Sequence, residues 1–105
     1  TVVAGAGADA VSESKVGKSA LHVAAENGHP GCVAALLEAG ANIEAKDMQG
    51  ATALLNSAEK GHDPVVKLLL EAGANIEAKD KYGCTALHIT AIRGRGACLK
   101  LLLEA

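Results

Sequence analysis

The sequence predicts an all-α repeat solenoid, a stack of antiparallel helix pairs joined by projecting β-turn or hairpin loops. Three observations point there. The nine residues 39–47, AGANIEAKD, recur letter for letter at 72–80, a distance of 33. The repeat is wider than that segment, since residues 17–49 and 50–82 are identical at 20 of 33 positions. Half of the 105 residues are apolar, yet nearly all of these are Ala, Leu, Val or Ile, with one Tyr, one Met and no Phe or Trp. A fixed period of this length marks one supersecondary unit stacked on its copies. A core so poor in large rings suits thin helices that approach closely at Ala.

The units run from 17 to 49, from 50 to 82 and from 83 to 105, where the third stops after its second helix. Each opens on a hydroxyl residue, Ser19, Thr52 or Thr85, placed to cap the exposed N–H groups of a first helix. That helix is short and is expected to end near Gly28, Gly61 and Gly94, where glycine accepts the left-handed C-cap conformation. A second helix is predicted over about 30–39, 63–72 and 96–105. Val33, Leu36 and Leu37 show its stripe at i, i+3 and i+4. The middle copy has the best start, with Asp63 placed to cap and Pro64 set for the first turn. The third has Gly96 in its first turn, at a cost of up to ~1 kcal/mol against Ala. It is expected to be the most mobile of the three.

Gly40 and Gly73 close the second helix, and the chain then extends through 42–46 and 75–79. Asp47-Met48-Gln49-Gly50 and Asp80-Lys81-Tyr82-Gly83 follow, with Asp first and Gly last, a favoured type I turn. A shift of 33 lays Ala6-Gly7-Ala8-Asp9 on Ala39-Gly40-Ala41-Asn42, so residues 1–16 read as the tail of a preceding, degenerate repeat. Solenoid ends normally carry polar capping repeats. Their absence from this sequence leads us to expect a piece of a longer protein.

Net charge is −2, too small for nucleic-acid or membrane binding by bulk electrostatics. The charge is unevenly spread. Residues 1–78 carry 5 basic and 10 acidic side chains, whereas residues 79–105 carry 5 basic and 2 acidic. No apolar run approaches the ~18 residues of a membrane helix. Cys32 and Cys98 share one repeat position, filled by Val65 in the middle unit, so both read as small core residues. Three cysteines cannot all pair, and an intracellular setting, cytoplasmic or nuclear, is expected.

Three apparent sites of chemistry dissolve on inspection. Gly5-Ala6-Gly7-Ala8-Asp9-Ala10 has the outline of a dinucleotide-binding turn, but Ser12-Glu13-Ser14 is a poor start for the long helix that must follow. Gly17-Lys18-Ser19 ends like a phosphate-binding loop, yet Ser12 stands where that loop needs glycine. Four His and three Cys show no metal-ligand spacing. His22 and His88 are one repeat position and His29 and His62 another, so the repeat itself explains them. No catalytic residues, cofactor or metal are expected, and the chain does not read as an enzyme.

The segments GKSALHVAAENGH and GCVAALLEAGA resemble the ankyrin repeat family, whose pattern is G-x-T-P-L-H-x-A-A-x-x-G-H, an apolar second helix, then L-L-x-x-G-A. The resemblance extends from Gly7 to Ala105, and order, spacing and period all agree. Three departures matter. The Pro of the pattern is Ala20, Ala53 and Ala86, its His is Leu55 in the middle unit, and its Asn near the hairpin base is Glu44 and Glu77. Modification of that asparagine therefore does not carry over, and a hydrogen-bond network through the His is interrupted at Leu55.

The resemblance implies a protein–protein interaction module that binds through its concave side, formed by turn tips and first helices. On this chain the tips are Lys15, Val16 and Lys18, then Met48, Gln49 and Ala51, then Lys81, Tyr82 and Cys84. The helix-face positions are Val23, Glu26 and Asn27, then Asn56, Glu59 and Lys60, then Ile89, Ile92 and Arg93. Partner contact is expected at Met48, Gln49, Asn56, Lys60, Lys81, Tyr82, Ile89, Ile92 and Arg93, which differ between copies. Tyr and Arg are frequent hot-spot residues, and Met is an adaptable one. The basic third unit suggests a partner with an acidic or mixed acidic–apolar segment. The alternative is a structural or regulatory segment of a larger enzyme, channel or scaffold that contacts its own flanking domains.

Overall fold

The computed structural model describes residues 19–105. The expected tail of a preceding repeat, the glycine-rich segment near residue 5, and Lys15, Val16 and Lys18 lie outside the described residues. Within them are six helices: α1 (Ala20–Glu26), α2 (Pro30–Glu38), α3 (Ala53–Lys60), α4 (Asp63–Glu71), α5 (Ala86–Arg93) and α6 (Gly96–Glu104). They form an all-α solenoid. Each first helix packs on its own second helix and on the first helix of the next unit, and second helices stack likewise.

The helix starts follow from the hydroxyl residues. Ser19 Oγ accepts from the His22 backbone N–H at 3.4 Å, while His22 Nδ1 accepts from the Ser19 N–H at 3.1 Å. Thr52 Oγ1 accepts from the Leu55 N–H, and His88 Nδ1 accepts from the Thr85 N–H. The predicted helix-ending glycines do take positive φ, 74° at Gly28, 75° at Gly61 and 70° at Gly94. Asp63 differs from expectation. It is the first residue of α4, whose N-cap is His62, and caps nothing. Its Oδ1 accepts instead from Cys98 Sγ–H at 2.8 Å, so the next unit has claimed the carboxylate.

The core is one continuous band of Leu, Val and Ala that runs through all three helix pairs, with Leu54, Leu55, Val65, Val66 and Leu69 of the middle unit essentially sealed. The two cysteines at one repeat position part company. Cys98 is fully buried, but Cys32 is exposed. Cys98 is covered by Asp63, 35 residues earlier. Repeat equivalence fixes a residue's direction, whereas its cover comes from the neighbouring unit.

Polar contacts tie the units together at fixed points. His22 Nδ1 is occupied as an acceptor, so Nε2 carries the ring proton and donates to Ala51 O at 3.0 Å. Leu55 stands in the corresponding place of the middle unit and is buried, so this link is not repeated there. At the far end of the first helices, His62 Nε2 lies 2.9 Å from Glu26 O. Arg95, one repeat later, donates from Nε to Glu59 O at 3.0 Å. The hairpin bases are braced by Glu44, whose Oε2 accepts from the Asn75 N–H at 2.8 Å.

Candidate functional site

The turn tips are built by aspartate. Asp47 Oδ1 accepts from the N–H groups of Gln49 and Ala51 at 2.9 and 3.0 Å, and Gly50 N–H closes the turn on Asp47 O. Asp80 repeats this with Tyr82 and Cys84 at 2.8 and 3.0 Å, and Gly83 N–H closes on Asp80 O. The two tips are joined directly, since Lys81 N–H donates to Gln49 O at 2.9 Å. Gly50 permits that approach. Its φ is +76°, and a Cβ there would lie 2.8 Å from the Lys81 backbone nitrogen.

Behind the joined tips, α3 and α5 form one wall of a cleft of about 330 Å³. From α3 come Leu55, Asn56 and Glu59, and from α5 come Ile89, Ile92 and Arg93 at i, i+3 and i+4. Asp47, Gln49, Ala51, Asp80 and Tyr82 close it from the tips. Six of the nine residues expected to meet a partner are thus brought together: Gln49, Asn56, Tyr82, Ile89, Ile92 and Arg93. Met48, Lys60 and Lys81 are exposed but do not line the cleft. Lys81 sits with its Nζ 5.3 Å from the centroid of the Tyr82 ring.

Tyr82 and Ile92 are each 72% exposed, an apolar lip without cover. Tyr82 Oη–H reaches Gln49 Oε1 at 3.4 Å, a long bond across the two tips. Asn56 behaves differently from the exposed helix-face residue expected of it. It is 7% exposed, because α1 and α5 both flank the middle first helix, whereas Val23 at the same position of the first unit is 45% exposed. Asn56 Nδ2 is buried with no hydrogen-bond partner. An orphaned buried donor costs about 1–3 kcal/mol.

Charge within the cleft runs against the reading from net charge. Arg93 Nη2 is paired with Glu59 Oε2 at 2.7 Å, so the cation counted as the attraction for an acidic segment is met locally. Asp47 and Asp80 add two carboxylates. The surplus of basic residues belongs to the third unit, but the cleft draws on the second unit as well. An acidic partner segment therefore finds no support in the cleft's own charges.

Leu55, Asp47 and Asp80 are the lining residues that the sequence did not single out, whereas Ala51 at a tip and Glu59 on a helix face were placed there without being expected to touch a partner. Leu55 carried a signal, as the one copy that departs from His at its position. Asp47 and Asp80 carried none, because residues common to both turns look purely structural. Among the described residues no group of three His, Cys, Asp or Glu side chains is arranged to hold a metal ion. No helix among them is long and apolar enough to cross a membrane.

The family model described as ankyrin repeats (3 copies) matches residues 2–80 and 44–105 of the chain. No curated protein matches it significantly.

Proposed function

The chain belongs to the ankyrin repeat family, and from that premise we propose that it is a protein-binding module that grips its partner in the cleft behind the turn tips, without catalysis of its own. Ankyrin repeats are generally protein–protein interaction modules. The observation that carries the finer reading is the cleft itself. It gathers residues that the repeat leaves free to vary, Gln49, Asn56, Tyr82, Ile89, Ile92 and Arg93, on a scaffold the repeat holds constant. Exposed Tyr82 and Ile92 beside Arg93 supply the aromatic, aliphatic and guanidinium contacts that dominate interface energetics. Three free thiols, one of them exposed, suit a reducing compartment, and we assign the protein to the intracellular space.

The test is selection of binding peptides from an unbiased display library on the 105-residue chain, followed by measurement with Tyr82→Ala and Arg93→Ala combined. Both side chains are exposed, so the variant should fold. Affinity for the selected peptides is expected to fall at least about fivefold, the ~1 kcal/mol or more of a hot-spot contact. Unchanged affinity would move the binding surface away from the cleft.

A further inference from the structure

We propose that the cleft recognises a basic side chain, lysine or arginine, next to an aliphatic residue of the partner, with Asn56 Nδ2 donating to a partner backbone carbonyl. This rests on the reading of the cleft as the partner site and specifies what enters it. Three features converge on one occupant.

The first is charge. Asp47, Glu59 and Asp80 line the cleft against Arg93 alone, and Arg93 is already paired with Glu59. Among the described residues no ion pair involves Asp47 or Asp80. Each uses one carboxylate oxygen, Oδ1, to hold its turn, and the second oxygen has capacity to accept from a guanidinium or ammonium. The turns fix both carboxylates in place, so a ligand meets a preorganised negative edge.

The second feature is the aromatic lip. Tyr82 is 72% exposed and the chain's own Lys81 ammonium already lies 5.3 Å from its ring centroid. A ring that holds a cation on one flank has a face suited to another. Ile89 and Ile92 extend the lip as an apolar shelf, which suits the aliphatic stem of a long basic side chain and a neighbouring Leu or Val.

The third is Asn56. Its Nδ2 is buried without a partner in a side chain that lines the cleft. An acceptor brought from outside would satisfy it, and the cleft that Asn56 lines is where such a group arrives. Every residue of a bound peptide offers such an acceptor in its carbonyl. A basic side chain against the carboxylates and a backbone carbonyl on Asn56 together satisfy groups that the isolated chain leaves unmet. An acidic segment would satisfy Asn56 but oppose two carboxylates.

Three capped nonapeptides of alanine test this, with a central Arg-Leu, Glu-Leu or norleucine-Leu pair, titrated into the ¹⁵N-labelled 105-residue chain and followed by amide shifts. The Arg-Leu peptide is expected to move the Asn56 side-chain amide and the backbone amides of Tyr82, Ile89 and Ile92. It should bind about tenfold more tightly than the Glu-Leu peptide. Asp47→Asn combined with Asp80→Asn keeps an acceptor for each turn and removes both charges. It should abolish the preference for Arg-Leu, while spectra away from the tips stay unchanged.

Equal or tighter binding of Glu-Leu or norleucine-Leu in the cleft would overturn the basic side chain and leave the protein-binding reading standing. Persistence of the Arg-Leu preference in the double variant would overturn it too. No cleft shifts with Arg-Leu at millimolar concentration would also overturn it. The library selection then decides separately whether the cleft binds protein at all.

Discussion

Cys98 shows how much a single side chain takes from its neighbour. Buried and hydrogen-bonded to Asp63, its thiol is pushed up to about 12 from an ordinary 9.0, first by loss of solvent and then by the carboxylate that accepts its proton. The folded chain therefore holds that proton more tightly than the unfolded chain. The stability this contributes is fully present below pH 9 and is lost as pH rises through about 12. Other groups titrate in that window, so Cys98→Val, which copies Val65, is the comparison. Denaturant midpoints measured from pH 8 to 11 should fall less steeply for the variant than for the native chain. A thiol reagent at pH 8 should modify Cys32 first, Cys84 more slowly, and Cys98 only at the rate of unfolding, since these are respectively exposed, half-buried and buried. The repeat revealed Cys98 as a core residue through its equivalence with Val65. It misled at Cys32, because equivalence of position carries no information about what lies over it.

At the scale of the element, sequence and structure agree where local rules suffice. Ser19 and Thr52 accept helix N–H groups, and Gly28, Gly61 and Gly94 turn left-handed, as single residues dictate. They part at Asp63, where a contact from the next unit outweighs a capping preference. Asn56 parts for the same reason, as a helix-face residue buried by flanking helices. The third unit's second helix is a further case. Gly96 is the first residue of α6, and nothing lies within 4 Å of where its Cβ would be. Gly96→Ala should therefore stabilise the chain by about 0.4–1 kcal/mol, read as a rise in denaturant midpoint. Amide exchange at the start of α6 should be faster than at the starts of α2 and α4 in the native chain and slow in the variant. A variant no more stable than the native chain would mean that this turn is held by contacts and not by helix propensity.

At the scale of the whole molecule, stability is shared between neighbours. Leu21, Leu54 and Leu87 occupy one repeat position; Leu21 and Leu54 are each 1% exposed, Leu54 between two flanking first helices, while Leu87 is only partly buried. Leu54→Ala should cost about 2–5 kcal/mol and Leu87→Ala distinctly less, by urea titration. Equal costs would mean that the helix pairs do not fold as a nearest-neighbour series. The period of 33 made this architecture visible in the sequence, because stacking order follows from chain order. The cleft was visible only in half. Its varying residues stood out against the repeat, whereas its carboxylates were hidden within it.

The joint at the far end of the first helices has a consequence for how such a chain could be lengthened. Glu26 O and Glu59 O are identical sockets, yet one receives an imidazole from His62 and the other a guanidinium from Arg95. Each plug passes beside a glycine 34 residues earlier, Gly28 or Gly61, where a Cβ would lie under 3 Å from the incoming side chain. The joint is thus defined by a carbonyl and a gap, and only loosely by the residue that fills them. A new unit spliced into this array would need a bare backbone at the end of one helix and some long donor to reach across it. Length could then change without redesign of either neighbour, and recognition could be extended one tip at a time.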